Sequence, residues 1–274
     1  MNQDPALYSK ICQMQKFDAT HFLNTYLNQL NLKDGAPVLD VGAGEGTITL
    51  EVIIPLLPPF AKLVISDKSE KMVNFAKRRF NDQRIEVVRM DISDDEDDEV
   101  FKKRFDHVFS FYCLNFVPEE RCPQAMRNIF TLLKPGGNLF ATVIVDSALF
   151  EICDSMTKKQ KWPPAMVHFK INPYRGVDKP EAKLRFFLEQ AGFDVQVCKY
   201  EERTYSFDGF RHFLDFALAI VPVLNVASQN KQVEFVEDFT KETRNADKLS
   251  IKKSSGGEIV VMSYSVLVVC ASRA

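Results

Sequence analysis

Apolar and polar positions alternate between two periods along the first half of the chain. Runs of strand length recur at "PVLDV" (37–41), "AKLVISD" (61–67), "IEVVRMD" (85–91), "FDHVFSFYCL" (105–114) and "NLFATVIV" (138–145). Between them lie segments with helical spacing. Thr47 to Leu57 is closed by Pro55, Pro58 and Pro59. "EKMVNFAKRRF" (70–80) puts Met72, Val73 and Ala76 on one face, with Ser69 as its N-cap, and residues 120–133 form the next helix. Strands alternating with helices predict parallel pairing in a doubly wound α/β sheet.

The second half has a different rhythm. Residues 147–191 read as helices broken by "WPP" and "NPYRG", and "FDVQVCKYEERTYSF" (193–207) as a long strand. Ser206 or Asp208 is expected to cap a helix through "FRHFLDFALAIV" (210–221). Its apolar stripe is too wide for a surface helix, which predicts burial. A polar amphipathic helix over 230–245 and a strand "EIVVMSYSVLVVC" (258–270) follow. The late strands suggest an antiparallel addition at the sheet edge. No repeat or low-complexity linker divides the chain, so one domain is expected over 1–274. Within it we expect an N-terminal helical cap (1–30), a ligand-binding core (36–146) and a final strand (257–272). A helical lid (147–250) over the strand C-termini contributes one core strand near 193–205, for a mostly parallel sheet of seven strands.

Composition narrows the function classes. A net charge of −2 and a pI near 6.1 give no global sign of a nucleic-acid or anionic-membrane surface. The N-terminus lacks a signal-type apolar core and no run of about 18 apolar residues occurs, so stable membrane anchoring is not expected. Six scattered cysteines without a Cys-x-x-Cys pair argue against a disulfide framework or a zinc site, and suit a reducing cytoplasm. None of the four histidines has an i, i+4 partner, so no metal is expected; His107 reads as structural. "DDEDDE" (94–99) reads as a solvated loop. The 23 phenylalanines against seven tyrosines and one tryptophan fit either a Phe-rich core or an apolar ligand pocket. Oligomeric state is open, a homodimer included.

"VLDVGAGEGTITL" (38–50) carries the chemistry. A phosphate-binding P-loop needs Gly-Lys-Ser/Thr, and no lysine follows these glycines; the dinucleotide fingerprint needs Gly-x-Gly-x-x-Gly, and Thr47 stands where the third glycine belongs. Asp40, just before the glycines, is a poor neighbour for a pyrophosphate and a good one for a cation. The loop therefore suits S-adenosylmethionine, with S-adenosylhomocysteine as product. Asp67 ends the second strand, near where a carboxylate grips ribose hydroxyls; Asp91 and Ile92 end the third, where adenine is met; Ser110 to Leu114 end the fourth, beside the reacting methyl. Asp40, Gly42, Gly44, Asp67, Lys68, Met72, Asp91, Ile92 and Ser110 are the cofactor-binding candidates.

With these elements the chain resembles class I (Rossmann-like) S-adenosylmethionine-dependent methyltransferases. Within them it resembles the insect juvenile hormone acid O-methyltransferase family. The resemblance rests on "ALYSK…MQKFDA", "LDVGAGEG", "FDHVFSFYCLNFV", "RNIFTLLKPGG", "KW…NPY" (162–174) and "SYSVLVVCA", and covers nearly the whole chain. It implies methylation of the carboxylate of farnesoic acid or juvenile hormone acid, a small apolar sesquiterpenoid. It also implies that Gln15 orients that carboxylate, with Tyr8 and Lys16 in the same capping segment. One departure matters. Family members usually carry His-Trp where this chain has Asn115-Phe116, and phenylalanine lacks the indole N–H donor. Asn115 could compensate, or the chain could be a weakly active or inactive paralogue, or methylate another acid. Gln15, Asn115 and Phe116 are the catalytic candidates; Trp162, Phe169, Phe210, Phe213 and Phe216 are candidate pocket residues beside Tyr8, Gln15, Lys16 and Phe116. A carboxylate is already ionised at neutral pH, so no catalytic base is required.

Overall fold

The computed structural model describes residues 5–94, 104–158, 162, 172–221, 228–254 and 257–274. Phe169, His168 and the acidic run from 95 onward lie outside the described residues.

The chain opens with α1 (Pro5–Ile11) and α2 (Gln13–Tyr26), then enters the sheet at β1 (Pro37–Val41). The helix after the glycine loop starts at Thr47, is π-helical over Thr49–Ile53, and ends as α3 (Ile54–Leu56). Then come β2 (Lys62–Asp67), α4 (Glu70–Arg79), β3 (Ile85–Arg89) and β4 (Phe105–Phe111). They are followed by α5 (Cys122–Leu132), β5 (Leu133–Ser147) and α6 (Ala148–Lys158). The C-terminal part holds α7 (Pro180–Gln190), β6 (Phe193–Asp208), α8 (Phe210–Ile220), α9 (Gln229–Thr243), β7 (Leu249–Ser254) and β8 (Gly257–Arg273). Ser69 caps α4 as expected, accepting from the Met72 N–H at 3.5 Å.

The sheet runs β3-β2-β1-β4-β5-β8-β6. The first five strands are parallel, and β8 is antiparallel to β5, β6 and β7. The order reverses at β1, so the crevice at the carboxyl ends of β1 and β4 is where such sheets bind ligands. Seven strands make the expected path. The eighth, β7, is an addition that the sequence reading placed in the lid and missed: "LSIKKS" is short, half polar, and forms only by pairing with the first half of β8.

Both faces of the sheet are covered, which is why β8 reads as a continuous apolar run. Alternate residues separate the two cores. Met262, Tyr264, Val266 and Val268 face α2, α6, α8 and α9, while Leu267, Val269 and Ala271 face α5 and α7. Thus α7 flanks the sheet, and the helices near the strand tips are α1, α2, α6 and α8. Ser206 and Asp208 do not cap α8; both belong to β6, and Gly209 (φ 96°) turns the chain into the helix. A long antiparallel strand paired up to its last residue left no room for a side-chain cap. Among the described residues no helix is long and apolar enough to cross a membrane.

Candidate active site

The glycine loop is built by close approach. Gly42 has φ 70°, and a Cβ there would meet Cys113 Sγ at 2.2 Å, so only glycine fits. Gly44 (φ 62°) lies under Tyr8, and its N–H donates to Asp67 Oδ2 at 2.9 Å. Asp67 Oδ1 accepts from the Ser69 N–H at 2.8 Å, which ties the tip of β2 to the loop after β1. Asp40 is 1% exposed, and its Oδ2 accepts from Thr49 Oγ1 at 2.6 Å.

Above this loop lies a cavity. Its floor is Asp40, Gly42, Ala43, Gly44, Glu45, Thr47 and Asp67; its walls come from α1 and α2 (Tyr8, Cys12, Met14, Gln15) and from the end of β4 (Phe111, Tyr112, Asn115, Phe116). Ile144, Leu149, Phe150, Phe216, Ile220 and Met262 close its apolar end, and Ser147 brings a hydroxyl to the lining between β5 and α6. A second, smaller cavity adjoins it through Gly42, Asp67, Tyr112 and Phe116, and continues to Lys68, Met90, Asp91, Ile92, Cys113 and Val117. Asp91 Oδ1 holds the Ser93 N–H (3.0 Å) and hydroxyl (2.7 Å), shaping the tip of β3.

The electrostatics have one sign. Asp40, Glu45 and Asp67 line the main cavity, and among its described lining residues there is no Lys, Arg or His. Burial raises all three carboxyl groups, with Asp40 at about 7; hydrogen bonds from Thr49, Thr47 and the Gly44 and Ser69 amides oppose this. Arg79 steadies Glu45 from behind, donating to its carbonyl at 3.2 Å and to Thr47 Oγ1 at 2.7 Å. Arg79 also pairs with the Glu45 carboxylate at 3.5 Å, whereas Asp40 and Asp67 have no ion-pair partner among the described residues and favour a cation. A ligand bearing an ammonium and a sulfonium fits, and a pyrophosphate does not. The thiols of Cys12 and Cys113 are pushed up to about 12 by burial, so both stay protonated and poorly nucleophilic beside an alkyl donor.

The wall toward the cap is fixed by Asp18, fully buried on α2. Its carboxylate accepts from Arg203 Nη2 (2.9 Å) and Nε (3.2 Å), from the Tyr264 hydroxyl (2.7 Å), and from the Tyr112 hydroxyl. Tyr112 has φ 53°, a backbone rarely held without glycine, and Asp18 anchors its side chain.

Several sequence candidates are thus brought together: Tyr8, Gln15, Asp40, Gly42, Gly44, Asp67, Met72, Asn115, Phe116 and Phe216 around the main cavity, and Lys68, Asp91 and Ile92 around the smaller one. Others are not. Ser110 is fully buried beneath the loop, its hydroxyl donating to the Val41 carbonyl at 3.1 Å, so it braces β1. Lys16 points outward from α2 and pairs with Glu51. Trp162 is core: its Nε1–H donates to Asp238 Oδ2 at 2.9 Å and its ring stands edge-on to Phe235. Phe213 packs inside an aromatic cluster with Phe207 and Phe216, and Phe210 lies under Arg244; neither lines the cavity. His107 is buried at the start of β4, with Nδ1 on Asn138 (3.0 Å) and Nε2 accepting from the Lys33 N–H (3.3 Å), and burial lowers its pKa; it serves the fold. Glu45, Cys12, Ser147 and Met262 were missed. Of these only Glu45 carried a signal, as a charge inside the glycine loop.

This strand order, with a phosphate-averse acidic loop at its switch point, defines an S-adenosylmethionine-dependent methyltransferase, and a methyltransferase-domain profile matches residues 38–137. The fold is shared with the YcgJ protein of Bacillus subtilis (TM-score 0.58, 13% identity, covering 92% of this chain and 98% of that one). The chain is 30% identical over 245 residues to the juvenile hormone acid O-methyltransferase of Drosophila melanogaster, covering 87% of this chain and 82% of that protein. It is 28% identical over 270 residues to that of Bombyx mori, covering 96% and 94%. The protein belongs to the juvenile hormone acid O-methyltransferase family.

Proposed function

We propose that the protein methylates the carboxylate of a long apolar acid, a sesquiterpenoid such as farnesoic acid or juvenile hormone acid, to give the methyl ester. The observation that carries this reading is the contrast within the main cavity. Gln15, Asn115 and Ser147 bury polar atoms without hydrogen-bond partners, and the rest of the wall toward α6 and α8 is apolar. Such a site suits a polar head group on a hydrocarbon tail. About fifteen carbons at about 0.8 kcal/mol each supply ample driving force, as an upper bound.

S-adenosylmethionine supplies an electrophilic methyl on a sulfonium. Asp40, Gly42, Gly44 and Met72 would hold its amino-acid end, Asp67 its ribose, and Lys68, Asp91 and Ile92 its adenine in the smaller cavity. Gln15 and Asn115 would orient the acid, Phe116 would separate tail from cofactor, and Tyr8 would close the cap over Gly44. Alignment in such a dry site contributes up to about 7–11 kcal/mol toward the barrier without a base. Transfer of labelled methyl to these acids, followed as methyl ester, tests the reading. Phe116 supports a second one. Without an indole donor the carboxylate loses a charge-assisted bond worth about 1.5–3 kcal/mol, as expected of a weakly active paralogue. The six free cysteines fit a cytosolic setting.

A further inference from the structure

Five side chains among the described residues bury a nitrogen or oxygen with no hydrogen-bond partner, and three of them line one cavity: Gln15, Asn115 and Ser147. Ser147 is the unassigned member. It ends β5 and directly precedes α6, a position where serine ordinarily accepts a bond from the first helical turn. Here the hydroxyl makes no such bond, although the residue is 1% exposed and its backbone N–H is satisfied by Asp146 Oδ1 at 2.9 Å. A buried hydroxyl that gives up a local cap and faces a cavity is kept for a ligand.

The fold brings the three residues to one neighbourhood. Ser147 pairs in register with Tyr264, whose hydroxyl donates to Asp18. Asp18 lies one helical turn along α2 from Gln15. The 3₁₀ turn Leu114–Phe116, which carries Asn115, packs on β5. With three carboxylates and no cationic side chain among the described lining residues, an anionic head group must be held by neutral donors. Asn115 Nδ2 and the Ser147 hydroxyl are unpartnered donors; the unpartnered atom of Gln15 is its acceptor Oε1, so Gln15 donates through its Nε2.

Building on the carboxylate reading above, we infer that Ser147 donates to the substrate carboxylate as the third anchor. Its hydroxyl supplies selectivity for an acid over a neutral head group, where the absent indole N–H at Phe116 leaves a donor short. The test is calorimetric titration of the S-adenosylhomocysteine complex with farnesoic acid and with farnesol, its neutral alcohol counterpart. Wild type, Ser147→Ala and Ser147→Thr are compared. Ser147→Ala is expected to weaken farnesoic acid about five- to tenfold and farnesol less than twofold, with Ser147→Thr recovering most of the loss. If the alanine variant does not fold, Ser147→Cys, a weaker donor of similar size, is expected to give an intermediate loss for the acid alone. Equal weakening of acid and alcohol, or none, overturns the assignment. A wild type that prefers the acid while Ser147→Ala keeps that preference fails Ser147 only. A wild type that binds the acid no better than the alcohol fails the carboxylate reading and this inference with it.

Discussion

Asp40 couples cofactor affinity to pH. Its carboxyl is held at about 7 because it is buried among two other carboxylates, with Thr49 as its one compensating donor. If the donor's cation requires the ionised form, the apparent affinity scales with the ionised fraction. That fraction is about 9% at pH 6.0 and about 76% at pH 7.5, so affinity rises about eightfold across the interval. Titrating S-adenosylhomocysteine by calorimetry at both pH values gives the ratio, and repeating it with Asp40→Asn subtracts the ligand's own titration. Binding at pH 6.5 should also release a proton, read as a buffer-dependent enthalpy that vanishes in the variant. The free protein moves the opposite way. Folded Asp40 keeps its proton to about 7 whereas the unfolded group releases it near 3.8, so the Asp40 contribution to stability falls as pH rises through that window. A pH-independent affinity, or identical pH profiles for wild type and Asp40→Asn, would refute the cation-selecting role of this carboxylate.

Gly42→Ala is expected to abolish cofactor binding and to cost about 1–3 kcal/mol in urea unfolding, from overpacking against Cys113 and strain at positive φ. Adding Cys113→Ala should recover only the overpacking part; full recovery would show that backbone strain is unimportant. Asp18→Asn leaves the half-buried Arg203 guanidinium uncompensated and frees Tyr112, so a loss of about 3–5 kcal/mol and weaker cofactor binding are expected by melting and titration. Phe116→Trp is expected to raise kcat/KM for farnesoic acid severalfold by restoring a donor, and an unchanged or lower value would assign the carboxylate wholly to Gln15, Asn115 and Ser147.

What the sequence disclosed follows from locality. The alternation of β1 to β5 with helices, the Ser69 cap and the glycine loop are short-range features, so the parallel sheet and the cofactor crevice could be read directly. The cavity wall is different. Phe213 and Trp162 have the composition expected of a pocket, yet which of the aromatic positions in the second half of the chain faces a void depends on how α8 and α9 rotate against β8, and period alone does not fix that. Lys16 was misplaced because neighbours of Gln15 in sequence point elsewhere on a helix; Asp18, three residues on, is the one that reaches the site wall. Ser110 was misplaced because alternate residues of β4 face opposite sides, and its hydroxyl is spent on the Val41 carbonyl. Ser147 was silent, since a serine between strand and helix ordinarily reads as a cap.

The most direct measurement is methyl-ester formation from labelled S-adenosylmethionine across acids graded from acetate to farnesoic and juvenile hormone acid. Esters are expected from the long branched acids and none from acetate. Cofactor binding with no ester from any of them, or equal rates across the series, would contradict the account.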